Sequence, residues 1–332
     1  MTTPLASALF ASLVCVGVIS LLLRSGLAQH VIDLPNERSL HAAPVPRIGG
    51  LGVVAGVLPV ILWQPGREMT LLGVCVGLLA LVSLADDRRA LPVAVRLAAH
   101  ALAAAVMVGV AATPLPASAL PTIAGALLAG VAIAWMTNLF NFMDGADGLA
   151  GGMAVIGFGA LAWAAAEAGQ VALCNVAAAV SVASLGFLAF NFPAARVFLG
   201  DAGSIPLGFL AGTLGWLGIL AGAWPAWFPV LVFSPFIVDA SVTLVIRAWR
   251  GEPLFRAHRS HHYQQLILGG WSHRRLAVSA WLLMACAAGT ALAARQASAE
   301  AGVAIIAGWA AVYAFLLHVI RRGGRGGPAA GR

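Results

Sequence analysis

The sequence predicts an all-α polytopic membrane protein, and three observations carry that expectation. Of its 332 residues, 61% are hydrophobic and only 9% are charged, whereas a soluble domain carries about 25% charged residues. The apolar residues gather in runs close to the roughly 20 residues that a helix needs to cross hydrocarbon. No strand-rich stretch and no internal repeat of fixed period interrupts them.

About eleven transmembrane helices are expected, over roughly 5–23, 48–63, 70–85, 93–112, 120–139, 150–166, 171–190, 204–221, 226–246, 276–294 and 301–320. Met1–Leu23 lacks a basic start and a small-residue cleavage site, so it is expected to be a span, not a signal peptide. Cys15, Cys75, Cys174 and Cys286 all lie inside apolar runs with no CxxC spacing, which argues against a disulfide or zinc framework.

Orientation follows from the arginines, because basic residues favour cytoplasmic loops. There is no lysine, and with the N-terminus outside only Arg67 and Arg295 of the 19 basic residues fall on the outer side. A missed or extra helix would scramble that partition. The predicted outer loops are short, around Gln64–Met69, Thr113–Ala119, Glu167–Gln170, Gly222–Pro225 and Arg295–Glu300. Residues 1–320 form one transmembrane catalytic domain in this reading, with five cytoplasmic active-site loops and a cytoplasmic C-terminus. The Arg/Gly-rich tail, 321–332, is expected to be disordered and suited to anionic lipid.

The five inner loops carry the polar clusters. The first runs from Asp33 to His41 and on through Pro44-Val-Pro-Arg47-Ile-Gly49-Gly50. Its prolines fix an extended approach and its glycines permit close backbone packing, which suits a stiff structural loop as well as a site. The second is Asp86-Asp87, with Arg88, Arg89 and then Arg96. Two adjacent carboxylates repel and call for a cation or an arginine beside them; a salt-bridged helix end is the plain alternative.

In the third, Asn138, Asn141 and Asp144 recur every three residues on one helical stripe, followed by Gly145, Asp147 and Gly148. That stripe offers hard oxygen ligands of the kind Mg²⁺ takes, and the EF-hand pattern is absent. The fourth, Asn191 through Arg196 to Gly200-Asp201-Ala-Gly203-Ser204, is a tight turn that leads into a helix N-terminus suited to an anion. It lacks the Gly-Lys-Ser/Thr of a Walker loop. The fifth and longest, Arg247–Arg275, holds His258, Arg259, His261 and His262 with Arg256. Arginine forks and imidazole N–H donors suit a diphosphate better than zinc.

Together these clusters resemble the polyprenyl-phosphate N-acetylhexosamine-1-phosphate transferases, over about residues 33–271. Asp86-Asp87 resembles the family's paired aspartates, and Arg96 occupies the place of a basic residue that contacts the carrier phosphate. Asn141–Gly148 is similar to its Asn-x-x-Asp-Gly-x-Asp-Gly segment. Phe198–Ser204 resembles its metal-site loop. The resemblance implies a Mg²⁺-dependent transfer, with Mn²⁺ as a substitute, of a sugar 1-phosphate from a UDP-sugar to undecaprenyl phosphate at the inner face of a bacterial inner membrane. It implies Asp86, Asp87, Asp144 and Asp147 as catalytic, Asp201 and Asn141 as metal ligands, and Arg96, Asn191, His258, Arg259, His261 and His262 as substrate-binding. A homodimer is admitted.

Two departures matter. Arginine stands at 96 where many members have lysine, and the histidines read His-x-x-His-His with no acidic residue following them. The second departure points to the members that start O-antigen or other surface glycans, with phospho-MurNAc-pentapeptide transfer as the alternative. A secondary transporter is the rival class, but its polar residues would sit near the bilayer midplane in broken helices, whereas these sit at helix ends.

Overall fold

The computed structural model describes residues 3–35, 40–41, 43–111, 120–254 and 258–323. Helix α1 (Pro4–Arg24) leads through a 3₁₀ turn to β1 (Ile32–Asp33), which pairs antiparallel with β2 (Val45–Pro46). Then follow α2 (Gly49–Leu62), α3 (Arg67–Arg89), α4 (Val93–Ala111), α5 (Leu120–Phe142), α6 (Leu149–Glu167), α7 (Val171–Asn191) and α8 (Asp201–Leu220). The chain ends with α9 (Trp227–Val232), α10 (Ser234–Trp249), α11 (His262–Leu268), α12 (His273–Ala293) and α13 (Ala299–Gly323).

Every predicted span holds helix, but the segments are not all alike. Among the described residues nine helices are long and apolar enough to cross a membrane; α2, at 14 residues, falls short of that length. The run at 226–246 is not one helix. Pro235 has no N–H to give the Leu231 carbonyl, so the helix stops at Phe233 and restarts. The Ser234 hydroxyl takes that carbonyl instead, at 2.6 Å, and also meets the Tyr313 hydroxyl of α13 at 2.6 Å. Helix α13 continues to Gly323, so the first residues assigned to a disordered tail are helical. The predicted outer loop Thr113–Ala119, Arg38, Arg256 and the tail from 324, with Arg325 and Arg332, lie outside the described residues.

Helix α7 packs on α1, α2 and α6, while α8 packs on α5, α3 and α2. Lipid tails are as apolar as leucine, so helices in a bilayer associate mainly through close packing of small residues. The start of α2 shows this. A Cβ on Gly50 would lie 2.3 Å from the Gly203 nitrogen, so only glycine lets the beginnings of α2 and α8 touch backbone to backbone. Helix α8 is the most enclosed of the long helices and α13 the least. Phe140 meets Phe236 edge-to-face at 5.1 Å, fastening α10 beside α5 and hence beside the polar end of the bundle.

Candidate active site

The site is built on the junction of the first loop with the α7–α8 loop. The Arg47 N–H donates to Val31 O at 2.8 Å, and Phe198 N–H donates to Pro46 O at 2.9 Å. Gly49 N–H then donates to Phe198 O at 2.9 Å and Gly50 N–H to Leu199 O at 2.8 Å. These bonds give the otherwise unpaired amides at the start of α2 their acceptors. Gly200, at φ 70°, supplies the left-handed turn that aims Asp201 as the first residue of α8. Arg47 and Asp201 are thereby walls of one cavity of about 250 Å³.

Arg47 is the hub of its charges. Its guanidinium meets Asp33 at 2.7 Å and Asp87 at 3.4 Å. His41 approaches the other Asp33 oxygen at 3.3 Å. The second oxygen of Asp87 is buried without a hydrogen-bond partner. Asp86 faces differently, accepting from Arg96 at 2.8 Å and from the Leu91 N–H at 2.6 Å.

The end of α5 closes the cavity from the other side. The Asn141 amide stands beside the Asp201 side chain, and the Gly200 amide beside Asp144. Burial, and then repulsion from Asp201, pushes the Asp144 carboxyl well above the usual carboxylate range; Arg47 and Gly200 pull it only partly back.

Two predicted site residues are engaged elsewhere. Burial would raise the Asp147 carboxyl, but His273 at 3.2 Å and the Ala195 N–H at 2.9 Å hold it below the usual range. His273 also reaches the Leu40 carbonyl at 3.2 Å, so Asp147 ties four segments together outside the cavity. Asn191 lines the cavity, yet its amide is committed to backbone. It accepts from Gly148 N–H at 2.7 Å and donates to Val197 O at 2.9 Å.

The histidine loop abuts this end through α11. Gln264 lines the cavity, and Tyr263 donates to the Phe142 carbonyl at 3.0 Å. His261 stacks between Phe142 and Tyr263, with both ring centroids 5.9 Å away. His262 lies against Asp239 of α10 at 3.1 Å, while Arg259 is exposed. Burial, then the neighbouring His261 and Arg247, bring the His258 imidazole down to about 4, so at pH 7 it is neutral and bonds Ser260 at 2.8 Å.

The donor set at the cavity consists of oxygens. Asp144, Asp201 and the Asn141 amide converge, with Asp87 behind Arg47. Among the described residues no three His, Cys, Asp or Glu side chains already stand as a metal cluster. Two carboxylates, an amide and an orphaned buried Asp87 oxygen nevertheless fit a hard cation that keeps several waters. Arg47, Asp33, Gln264, Asp239 and His273 were not singled out from sequence as site residues. The Pro-x-Pro-Arg-x-Gly-Gly run was the available signal for Arg47, since proline and paired glycines announce a close backbone approach.

Residues 69–219 match the sequence pattern of glycosyl transferase family 4. A decaprenyl-phosphate N-acetylglucosaminephosphotransferase of Mycobacterium tuberculosis is 30% identical over 294 residues, covering 76% of this chain and 72% of the relative. The chain belongs to glycosyl transferase family 4. A second family 4 relative, a probable undecaprenyl-phosphate N-acetylglucosaminyl 1-phosphate transferase of Bacillus subtilis, is 29% identical over 76% of this chain and 74% of its own length. A phospho-N-acetylmuramoyl-pentapeptide-transferase of Moorella thermoacetica is 37% identical, over 47% of this chain and 48% of its own. With nine apolar helices of spanning length among the described residues, this family 4 member is a multi-pass membrane protein.

Proposed function

We propose that this chain transfers an N-acetylhexosamine 1-phosphate from a UDP-sugar to undecaprenyl phosphate, releasing UMP and starting a lipid-linked surface glycan such as O-antigen. The observation that carries the reading is the convergence of Asp144, Asp201 and Asn141 with Arg47 in one cavity at the polar end of the bundle. The names of the relatives support the acceptor class. The breadth of the match favours an N-acetylglucosamine-type donor, since the muramoyl-pentapeptide relative matches less than half of this chain.

In the transfer, an oxygen of the lipid phosphate bonds to the β-phosphorus of the donor. The bond from that phosphorus to the bridging oxygen breaks, and UMP leaves with the electron pair. Such chemistry is mostly positioning and neutralisation of spreading charge. A phosphate monoester has its second pKa near 6 and is largely dianionic at pH 7, so the acceptor scarcely needs a base. Arg96 and Arg47 supply guanidinium forks for phosphate oxygens. Asp87, with one oxygen on Arg47 and the other unpartnered, is the freer of the paired aspartates, because Asp86 is committed to Arg96 and Leu91. Asp201, Asn141 and Asp144 would hold Mg²⁺, which when bound offsets negative charge on the diphosphate. Asp147 serves by position, fastening the loop that carries Asp144.

The arginine partition supports a cytoplasmic active face in the bacterial inner membrane, with the N-terminus outside. The test is purified protein with undecaprenyl phosphate, Mg²⁺ and a panel of UDP-sugars, scored for UMP release. Release with UDP-N-acetylhexosamines is expected. Release only with UDP-MurNAc-pentapeptide would move the chain to peptidoglycan synthesis, and no release with any donor would overturn the reading.

A further inference from the structure

The histidine loop is held by a buried polar ladder on α10, the helix that leads into it. Asp239, Thr243 and Arg247 recur every four residues along α10 and therefore share one face. All three are buried, at 9%, 3% and 7% exposure. Polar groups so placed are costly unless they are hydrogen-bonded, and apart from Arg247 Nε these are used on the loop. Asp239 accepts the His262 N–H at 2.8 Å on one oxygen and the Tyr263 N–H at 3.0 Å on the other. Those are the first two amides of α11, which have no partner within their own helix. The oxygen that takes His262 N–H also lies 3.1 Å from His262 Nδ1. Thr243 Oγ1 donates to that oxygen at 3.3 Å and stands 3.3 Å from the same ring nitrogen. Arg247 fastens the rest of the loop, donating to Pro253 O at 2.7 Å and to Ser260 Oγ at 3.4 Å.

A carboxylate only accepts, so the proton of a neutral His262 ring sits on Nδ1 and Nε2 is its remaining polar atom. The acidic residue missing after the histidines in sequence is thus supplied in space by α10. We propose that Asp239 is a positioning residue for donor recognition, fixing the tautomer and orientation of His262 while Thr243 and Arg247 hold the loop in register. This rests on the reading that the histidine loop binds the UDP-sugar.

The test is a double-mutant cycle on the full-length protein in detergent, measuring kcat and KM for UDP-GlcNAc. Asp239→Asn removes the charge that fixes the ring proton but keeps one acceptor oxygen. It should raise KM by about tenfold with kcat within about threefold of the parent. His262→Ala should raise KM likewise. In the double variant KM should stay within about twofold of His262→Ala alone, since contacting residues that act together are not additive. A plain anchor of the fold would instead multiply KM or lower kcat by the same factor in both backgrounds, and that result overturns the proposal. If Asp239→Asn fails to fold, Thr243→Val decides. Its KM increase, expected at about threefold, should likewise vanish in the His262→Ala background, and an equal factor in both backgrounds overturns the proposal. A parental KM in His262→Ala overturns the assignment of the loop together with this proposal. No UMP release by the parent protein from any UDP-sugar overturns the functional reading itself.

Discussion

Replacing Gly50 by alanine tests how the site is held together. The added methyl would sit 2.3 Å from the Gly203 nitrogen, 2.4 Å from its Cα and 2.7 Å from the Leu199 carbonyl oxygen. Carbon contacts are comfortable at about 3.5 Å, so the starts of α2 and α8 must part by about 1 Å. The obstructing atoms are backbone and cannot swing aside. Parting weakens the Gly49–Phe198 and Gly50–Leu199 hydrogen bonds, now 2.9 and 2.8 Å. Each contributes about 1 kcal/mol net, and overpacking adds about 1–3 kcal/mol, for a loss of about 3–5 kcal/mol. The same shift carries Arg47 away from Asp201, and a displacement of about 1 Å at a reacting centre can cost about 100-fold in rate. The variant should therefore unfold at lower temperature in detergent and release UMP about 100-fold more slowly. Gly109→Ala is the control, because nothing lies within 4 Å of its added carbon. Parental turnover in Gly50→Ala, or an equal loss in Gly109→Ala, would refute the reasoning.

Other consequences can be checked alongside. Arg96→Ala leaves Asp86 without its guanidinium partner at 2.8 Å and should lower UMP release about tenfold or more, with Arg96→Lys losing less because it keeps the charge. Asp147 is held below the usual carboxylate range, so its contribution to stability is present above the unfolded value of about 3.9 and fades as pH falls through the lower folded value. The thermal-stability gap between the parent and Asp147→Asn should accordingly be open at pH 7 and narrow below about pH 4; a gap that is constant with pH contradicts the His273 pairing. Reporter fusions after Arg67 and Arg295 should read outside and one after Arg259 inside, and reversal of any one sinks the proposed orientation.

Much of the fold was legible because the chemistry of a bilayer leaves few choices. Long apolar runs must be helices, and polar residues must collect at their ends. The break at Phe233 was not legible from hydropathy, since the chain stays predominantly apolar from Trp227 through Val238. Pro235 was the signal, together with a serine able to take the freed carbonyl. In the site, Asn141, Asp144 and Asp201 could be gathered from the sequence because Asn141 lies in the last turn of α5, Asp144 just past it, and Asp201 begins α8. Asp147 resembled them in spacing, but two residues beyond Gly145 the chain has turned, and both its carboxylate and its backbone N–H meet His273 across 126 positions of sequence. The centrality of Arg47 was hidden for a similar reason. A stiff Pro-x-Pro-Arg loop looks structural until the backbone of Phe198 and Leu199 is seen bonded to it and to the start of α2. Asp239 sits inside an apolar helix, and its partners lie 23 and 24 positions away, beyond the reach of any local pattern.

The most direct test of the central claim, that the cavity between Arg47 and Asp201 is the seat of transfer, is UMP release by Asp201→Asn. Asparagine keeps the size and one acceptor oxygen but removes the charge with which the cavity would hold Mg²⁺. The variant should insert and fold, yet lose nearly all turnover with undecaprenyl phosphate and UDP-GlcNAc, and raised Mg²⁺ or Mn²⁺ should rescue it only in part. Parental turnover by Asp201→Asn at ordinary Mg²⁺ would contradict the account and send the search for the reaction to another part of the molecule.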